Sequence, residues 1–233
     1  MVAPTGSPRA PSEGLADALR EGTRELHRRA ERTGVIAELL AGRVRPTAYL
    51  LFAFNLLPIY AALEAALLDQ AHLPALGALF RPELARSLPL ARDVAVLAER
   101  SPATPLRLLA ESVTHRRRIE TIARTLPERL LAHAYVRYLG DLSGGQILRR
   151  LLARTPGIGP EAVRFYEFPD LDDLPRAKAA YRRAIDEAGA HLLDPAGVIE
   201  EAREAFRLTI ALARAVAAAS PEPQAGSRPP SLV

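Results

Sequence analysis

From about residue 13 to residue 219 nearly every stretch of this chain repeats its apolar residues at helical spacing, and no run alternates in the manner of a strand. The expected fold is therefore all-α. Start signals divide the pattern: Pro46, Pro82, Pro105, Pro127 and Pro195 each fit the first turn of a helix, where a missing N–H is tolerated, and Thr104 and Asp194 stand before two of them as N-caps. The helices expected on this basis are 13–30, 34–41, 46–69 with a kink near Pro58, 82–99, 104–124, 127–154, 173–188 and 195–219. Between the expected helices 127–154 and 173–188 lies a Pro/Gly-rich connection over 155–172, beginning "TPGIGPEAVRFYEFPD", whose aromatics mark it as a packed loop. No repeat or boundary divides 13–219, which is expected to form a single-domain helical bundle, with disordered tails over 1–12 and 220–233.

Composition narrows the class. A chain of 233 residues with 48% hydrophobic and 25% charged residues can bury one sizeable core. It has no cysteine, so disulfides and thiolate metal sites are excluded and only His and carboxylates remain as metal ligands. The net charge of +4 comes almost wholly from arginine, since Lys178 is the sole lysine. The run Arg116, Arg117, Arg118 has no interleaved aromatics, so nucleic acid is not the expected partner. An acidic protein fits the charge at least as well. The first dozen residues lack the pattern of a signal peptide, and the apolar segment Ala48 to Leu68 is interrupted by Asn55, Pro58 and Glu64, which reads as a core helix rather than a membrane span. A soluble, cytoplasmic protein is expected.

The stretch "YLGDLSGGQ" contains LSGGQ, the signature of ATP-binding cassettes. Such proteins need a phosphate cradle of the form GxxxxGK[ST], and Lys178 sits instead in "LPRAKAAYRR", so that reading fails. What remains is a helix with Gly140, Gly144 and Gly145 in its interior, at a cost of roughly 2 to 3 kcal/mol relative to alanine. Gly140 and Gly144 are four apart and share a face, which exposes a strip of bare backbone and loosens or kinks the helix. Close helix packing explains such a strip. So does a flat ligand pressed on bare backbone, and the adjacent polar Asp141 and Ser143 suit the ligand better than a packed interface.

Two of the five histidines have company. His27 lies on the flank of the stripe formed by Leu15, Leu19, Gly22 and Leu26, with Arg24 and Arg20 one and two turns earlier and Glu31 one turn later. A ligand histidine, an orienting carboxylate and two cations along about 10 Å of one helix edge suit an anionic metal macrocycle; a salt-bridged amphipathic surface gives the same pattern. His133 shares a face with Gly140 and is a rival ligand. Periodicity does not separate the two.

Taken together, "LREGTRELHRRAE", "RYLGDLSGGQ" and "KAAYRR" resemble the haem oxygenase (heme oxygenase) family, and "PIYAALE" and "EEAREAF" resemble it as well. The resemblance runs from about Leu15 to Leu212 and implies an all-α haem oxygenase-like bundle with haem (heme b) between a proximal and a distal helix. By motif, it implies His27 as the iron ligand and Glu31 as its hydrogen-bond partner. It implies a distal helix over 127–154 with Gly140 and Gly144 on the haem face, Ser143 beside them, and Asp141 organising a water network. Arg20, Arg24, Lys178 and Arg182 match cations near the propionates, and Tyr135, Arg137 and Phe206 match pocket-lining positions. His133 matches a histidine that is not the ligand.

The activity implied is oxidative cleavage of haem, both cofactor and substrate, to biliverdin, carbon monoxide and ferrous iron. It uses O2 and electrons from ferredoxin or a flavin/NADPH reductase. A non-catalytic haem carrier or sensor on the same fold is the alternative, and it has no need of Asp141. Arginine replaces lysine at Arg20 and Arg24 relative to mammalian members, keeping charge but changing reach. The hydrophobic C-terminal anchor of membrane-bound members has no counterpart in this sequence.

Overall fold

A computed structural model describes residues 14–220; the tails expected over 1–12 and 220–233 lie outside this range apart from Ser220, which ends the last helix. Among the described residues nine α-helices run in order: α1 (Leu15–Glu31), α2 (Gly34–Leu40), α3 (Pro46–Asp69), α4 (Ser87–Arg100), α5 (Ala110–Thr125), α6 (Leu130–Asp141), α7 (Gly145–Ala153), α8 (Leu174–Gly189) and α9 (Pro195–Ala219). No strand occurs among the described residues.

The centre is α3, which is apolar on all sides and buries Tyr49, Leu50, Ile59, Tyr60, Leu63 and Leu67. It is long and apolar enough to cross a membrane, yet just over half of its most apolar window is buried inside the bundle, against α4, α5, α6 and α9. The helix runs on through Pro58 without interruption. The long α9 is the second organising element, packing against α1, α2, α5 and α6. Its start is set as the sequence suggests: Asp194 accepts the N–H of Gly197 at 2.8 Å, and Pro195 opens the first turn. Two glycines let α9 be approached closely. A Cβ on Gly22 would lie 2.7 Å from Ile199, and one on Gly34, at φ +52°, would lie 2.2 Å from the Ala213 carbonyl.

Three expected helices are shorter than their patterns. The segment expected to start at Thr104 becomes helical only at Ala110, because Asn55 on α3 captures the intervening backbone. Its amide donates to the Arg107 carbonyl at 3.1 Å and its oxygen accepts the Leu109 N–H at 2.7 Å. The segment expected from Pro82 forms a 3₁₀ turn, Pro82–Leu84, and restarts at Ser87, where the buried Glu64 carboxylate takes the N–H groups of Arg86 and Ser87. The expected 127–154 helix is a 3₁₀ turn, Pro127–Arg129, followed by α6 and α7 with a break over 142–144. At the break Leu142 and Gly144 keep helical angles while Ser143 N–H bonds the Gly140 carbonyl three residues back. The glycines thus kink the helix without reversing it.

Candidate functional site

A cleft of about 1220 Å³ opens between α1 on one side and α6 and α7 on the other. Every residue to which the resemblance assigns a site role lines it. Arg20, Arg24, His27 and Glu31 come from α1, Tyr135, Arg137, Gly140 and Asp141 from α6, and Ser143 and Gly144 from the break. Lys178 and Arg182 come from α8 and Phe206 from α9.

On the α1 wall, His27 is 57% exposed and meets Phe206 edge-on, with ring centroids 5.7 Å apart. Its Nδ1 lies 3.5 Å from a Glu31 carboxylate oxygen, which leaves Nε2 as the nitrogen available to a metal. The cations at the mouth differ in their present partners. Arg24 pairs with Glu21 at 3.0 Å and Arg182 with Asp17 at 2.8 Å, whereas Arg20 and Lys178 form no ion pair among the described residues.

The opposite wall is bare backbone. A Cβ placed on Gly140 would meet nothing within 4 Å, and one on Gly144 only the Gly140 carbonyl at 3.8 Å. These glycines are therefore not demanded by helix packing, and the space beside them belongs to the cleft. Gly145 differs, since its Cβ would come within 3.1 Å of the Tyr166 ring. Behind the bare strip Asp141 is buried, and the Tyr60 hydroxyl reaches both of its oxygens, at 3.0 and 2.9 Å. Burial pushes the Asp141 carboxyl up to about 7, against the pull of the Tyr60 hydrogen bond and of the Arg137 and Arg86 cations. Arg137 donates to the Thr209 hydroxyl at 2.8 Å, but its buried Nε finds no partner among the described residues. An orphaned donor at the cleft wall, next to an acid poised near neutrality, is the arrangement of a site that meets a polar ligand or water.

His133 stands apart from the cleft. Its Nε2 lies 3.0 Å from Glu201, its Nδ1 lies 3.3 Å from His115 Nε2, and Arg118 also pairs with Glu201. Burial alone would raise the Glu201 carboxyl, but His133 and Arg118 outweigh it and hold the group down at about 2. Both nitrogens of His133 are occupied by this buried network.

The sequence reading passed over Tyr60, Thr209, Phe165 and Tyr166, all of which line the cleft. Tyr60 was within reach, in "PIYAALE", as were Phe165 and Tyr166, the aromatics of the Pro/Gly-rich loop. Thr209 carried no signal beyond its place on an apolar stripe.

The fold and site define an all-helical protein with a large cleft that has an imidazole on one wall, bare glycine backbone on the other and cations among its lining residues. The family model described as heme oxygenase matches residues 13–215. Heme oxygenase 1 of Synechocystis sp. is 33% identical over 199 residues, covering 85% of this chain and 83% of that protein. The crystal structure of heme oxygenase-1 from the same cyanobacterium, in complex with heme, superposes with a TM-score of 0.82 at 31% identity, covering 89% of this chain and 94% of that one. Heme oxygenase from Leptospira interrogans superposes with a TM-score of 0.80 at 30% identity over 87% of this chain and all of that one. The chain belongs to the heme oxygenase family.

Proposed function

We propose that this chain binds haem in the α1–α6 cleft and opens the ring to biliverdin, releasing carbon monoxide and ferrous iron, with O2 and an external electron donor as co-substrates. The observation that carries this reading is the pairing of His27 with the Gly140 and Gly144 strip across one cleft. The space a Cβ would fill at those glycines has no protein occupant, and a flat macrocycle fits it. Bound haem supplies the iron at which O2 is activated and the ring carbon that is oxidised.

The residues divide that work. His27 Nε2 would hold the iron, and Glu31 faces Nδ1, favouring the tautomer that leaves Nε2 free. Arg20, Arg24, Lys178 and Arg182 neutralise the propionates at the mouth, Arg182 by sharing or exchanging its Asp17 partner. Tyr135 and Phe206 line the same cleft and would bound the macrocycle. On the distal side the glycines bring backbone close to the ring and place no acid directly on it. Asp141 holds a proton at its carboxyl and passes it on through water, with Tyr60 fixing the carboxyl and Arg137 offering a further donor. A carrier would need the ligand and the cations but not this buried acid.

Ferredoxin or a flavin/NADPH reductase is the electron donor proposed, the net charge of +4 favouring an acidic surface, and the protein is proposed to act as a soluble cytoplasmic enzyme. One titration tests the reading: haemin added to the protein gives a Soret band, and reductant with O2 then gives bilin absorbance. A Soret band that survives reductant and O2 without bilin would leave only the carrier.

A further inference from the structure

Phe165 and Tyr166 line the cleft from a 3₁₀ turn, Arg164–Tyr166, rather than from a long helix. So short a turn has little internal hydrogen bonding, so what grips it decides where the two rings stand. Two buried charges do so. Asp93 on α4 is fully buried and accepts the N–H groups of Arg164 at 3.0 Å and Phe165 at 2.7 Å. Arg86, two turns earlier at the start of α4, donates to the carbonyls of Phe165, at 3.3 Å, and Glu167, and its guanidinium lies 4.1 Å over the Phe168 ring. Buried charges are tolerated only when their hydrogen bonds are satisfied. Here one short backbone segment supplies acceptors to the cation and donors to the anion.

On its other side the same segment is tied to α7. Gln146 donates to the Tyr166 carbonyl at 2.9 Å, Arg149 pairs with Glu167 at 2.7 Å, and the Tyr166 ring closes against Gly145. Because α7 follows the 142–144 break, its link to α6 is not a continuous helix, and other contacts share in setting its position. Residues 164–168 therefore form a strut between α4 and the second half of the broken helix.

We propose that Asp93 and Arg86 are positioning residues for the reaction: through the 164–168 strut they fix α7, and with it the width of the cleft over its bound macrocycle. The identity of the occupant rests on the haem-cleavage reading, while the strut does not depend on it. The device is pH-sensitive. Burial pushes Asp93 up to about 6, against the Phe165 and Arg164 N–H groups and the Arg164 cation, while the Glu167 anion adds to the upward push. Tyr49 from α3 and Tyr166 from the strut are the other titratable groups facing it, and burial keeps both phenols neutral. The gripped state holds a proton on this carboxyl more tightly than an opened, solvated one would, so protonation favours the strut, and that contribution is lost as pH rises through about 6.

Amide hydrogen exchange on the ligand-free chain reads this directly, for wild type and Asp93→Asn between pH 5 and 7.5, after correction for intrinsic rates. In wild type, protection of 164–168 and of α7 should be highest near pH 5 and fall about tenfold as pH rises to 7.5, the size of the proton linkage across that range. In Asp93→Asn it should be low and independent of pH, since the two N–H groups use different carboxylate oxygens and the one replaced by an amide NH2 can no longer accept. Haemin-loaded protein should also release haem to apomyoglobin faster in the variant, by about tenfold at pH 7.5. Unchanged protection of α7 in both series overturns the strut, and loosened exchange with unchanged haem release overturns its link to cleft width. If the variant does not fold, the wild-type pH series decides alone. If wild type takes up no haemin, the haem reading fails while the exchange result still decides the strut.

Discussion

The Tyr60 hydroxyl on α3 bridges both carboxylate oxygens of Asp141 on α6, at 3.0 and 2.9 Å. The helix at the core of the bundle thus reaches through to hold the one acid on the bare face of the cleft. This bond lowers the Asp141 pKa, as do Arg137 and Arg86, yet burial prevails and leaves the group at about 7. The folded value is raised above the ordinary carboxylate value of 3.8, so the protonated form is the one folding favours, and it is lost as pH rises through about 7. Bilin formation that draws its proton from Asp141 should decline on the alkaline side of that value. Tyr60→Phe removes a lowering influence, so the alkaline limb should move to higher pH. A limb that stays put, or moves down, would show that Tyr60 does not govern the acid.

Asp141→Ala separates binding from chemistry. The carboxyl is buried behind the glycine strip, so haemin affinity read from the Soret band should change by less than about threefold. Turnover to biliverdin should fall by about 10²-fold or more, the usual weight of a positioned acid. Wild-type biliverdin yield from this variant would remove Asp141 from the mechanism.

Gly140→Ala should move stability and activity in opposite directions. Its new Cβ meets no protein atom within 4 Å, and alanine is the better helix former by about 1 kcal/mol, so the ligand-free protein should melt about 2–4 °C higher. The same methyl group enters the space proposed for the macrocycle, so haem affinity and turnover should both drop. A variant equally stable and equally active would mean the strip faces nothing.

Much of this was legible in the sequence, and for identifiable reasons. Helix periodicity and first-turn prolines located α1, α3 and α9 to within about two residues, because those helices are held by their own apolar faces. The errors lie where a side chain from elsewhere captures backbone: Asn55 delays the start of α5 and Glu64 the start of α4. Hydrogen bonds spanning 22 and 54 residues leave no local periodicity to read. The glycine strip gave away its break but not its exact place, since Leu142 and Gly144 keep helical angles there. Within the cleft, residues carried by motif were found and Thr209, which meets Arg137 only through the fold, was not.

The two histidines that spacing left level are separated by burial, and their substitution should give opposite results. His133 is 1% exposed, with Glu201 on one nitrogen and His115 on the other. Replacing it with alanine opens a cavity and leaves His115 and one side of Glu201 without a partner, though Arg118 still neutralises the carboxylate. The expected loss is about 3 kcal/mol, and the melting temperature should fall by about 6–12 °C. The folded fraction should still bind haemin with an iron–imidazole spectrum. His27 is more than half exposed and its contacts are a long approach to Glu31 and an edge-on meeting with Phe206. His27→Ala should therefore alter stability by no more than about 0.5 kcal/mol while abolishing normal ligation and most turnover. Adding free imidazole to that variant should restore the spectrum, because the space left by the side chain opens onto the cleft. An unchanged iron–imidazole spectrum in His27→Ala, or its loss in His133→Ala, would reverse the assignment of the ligand.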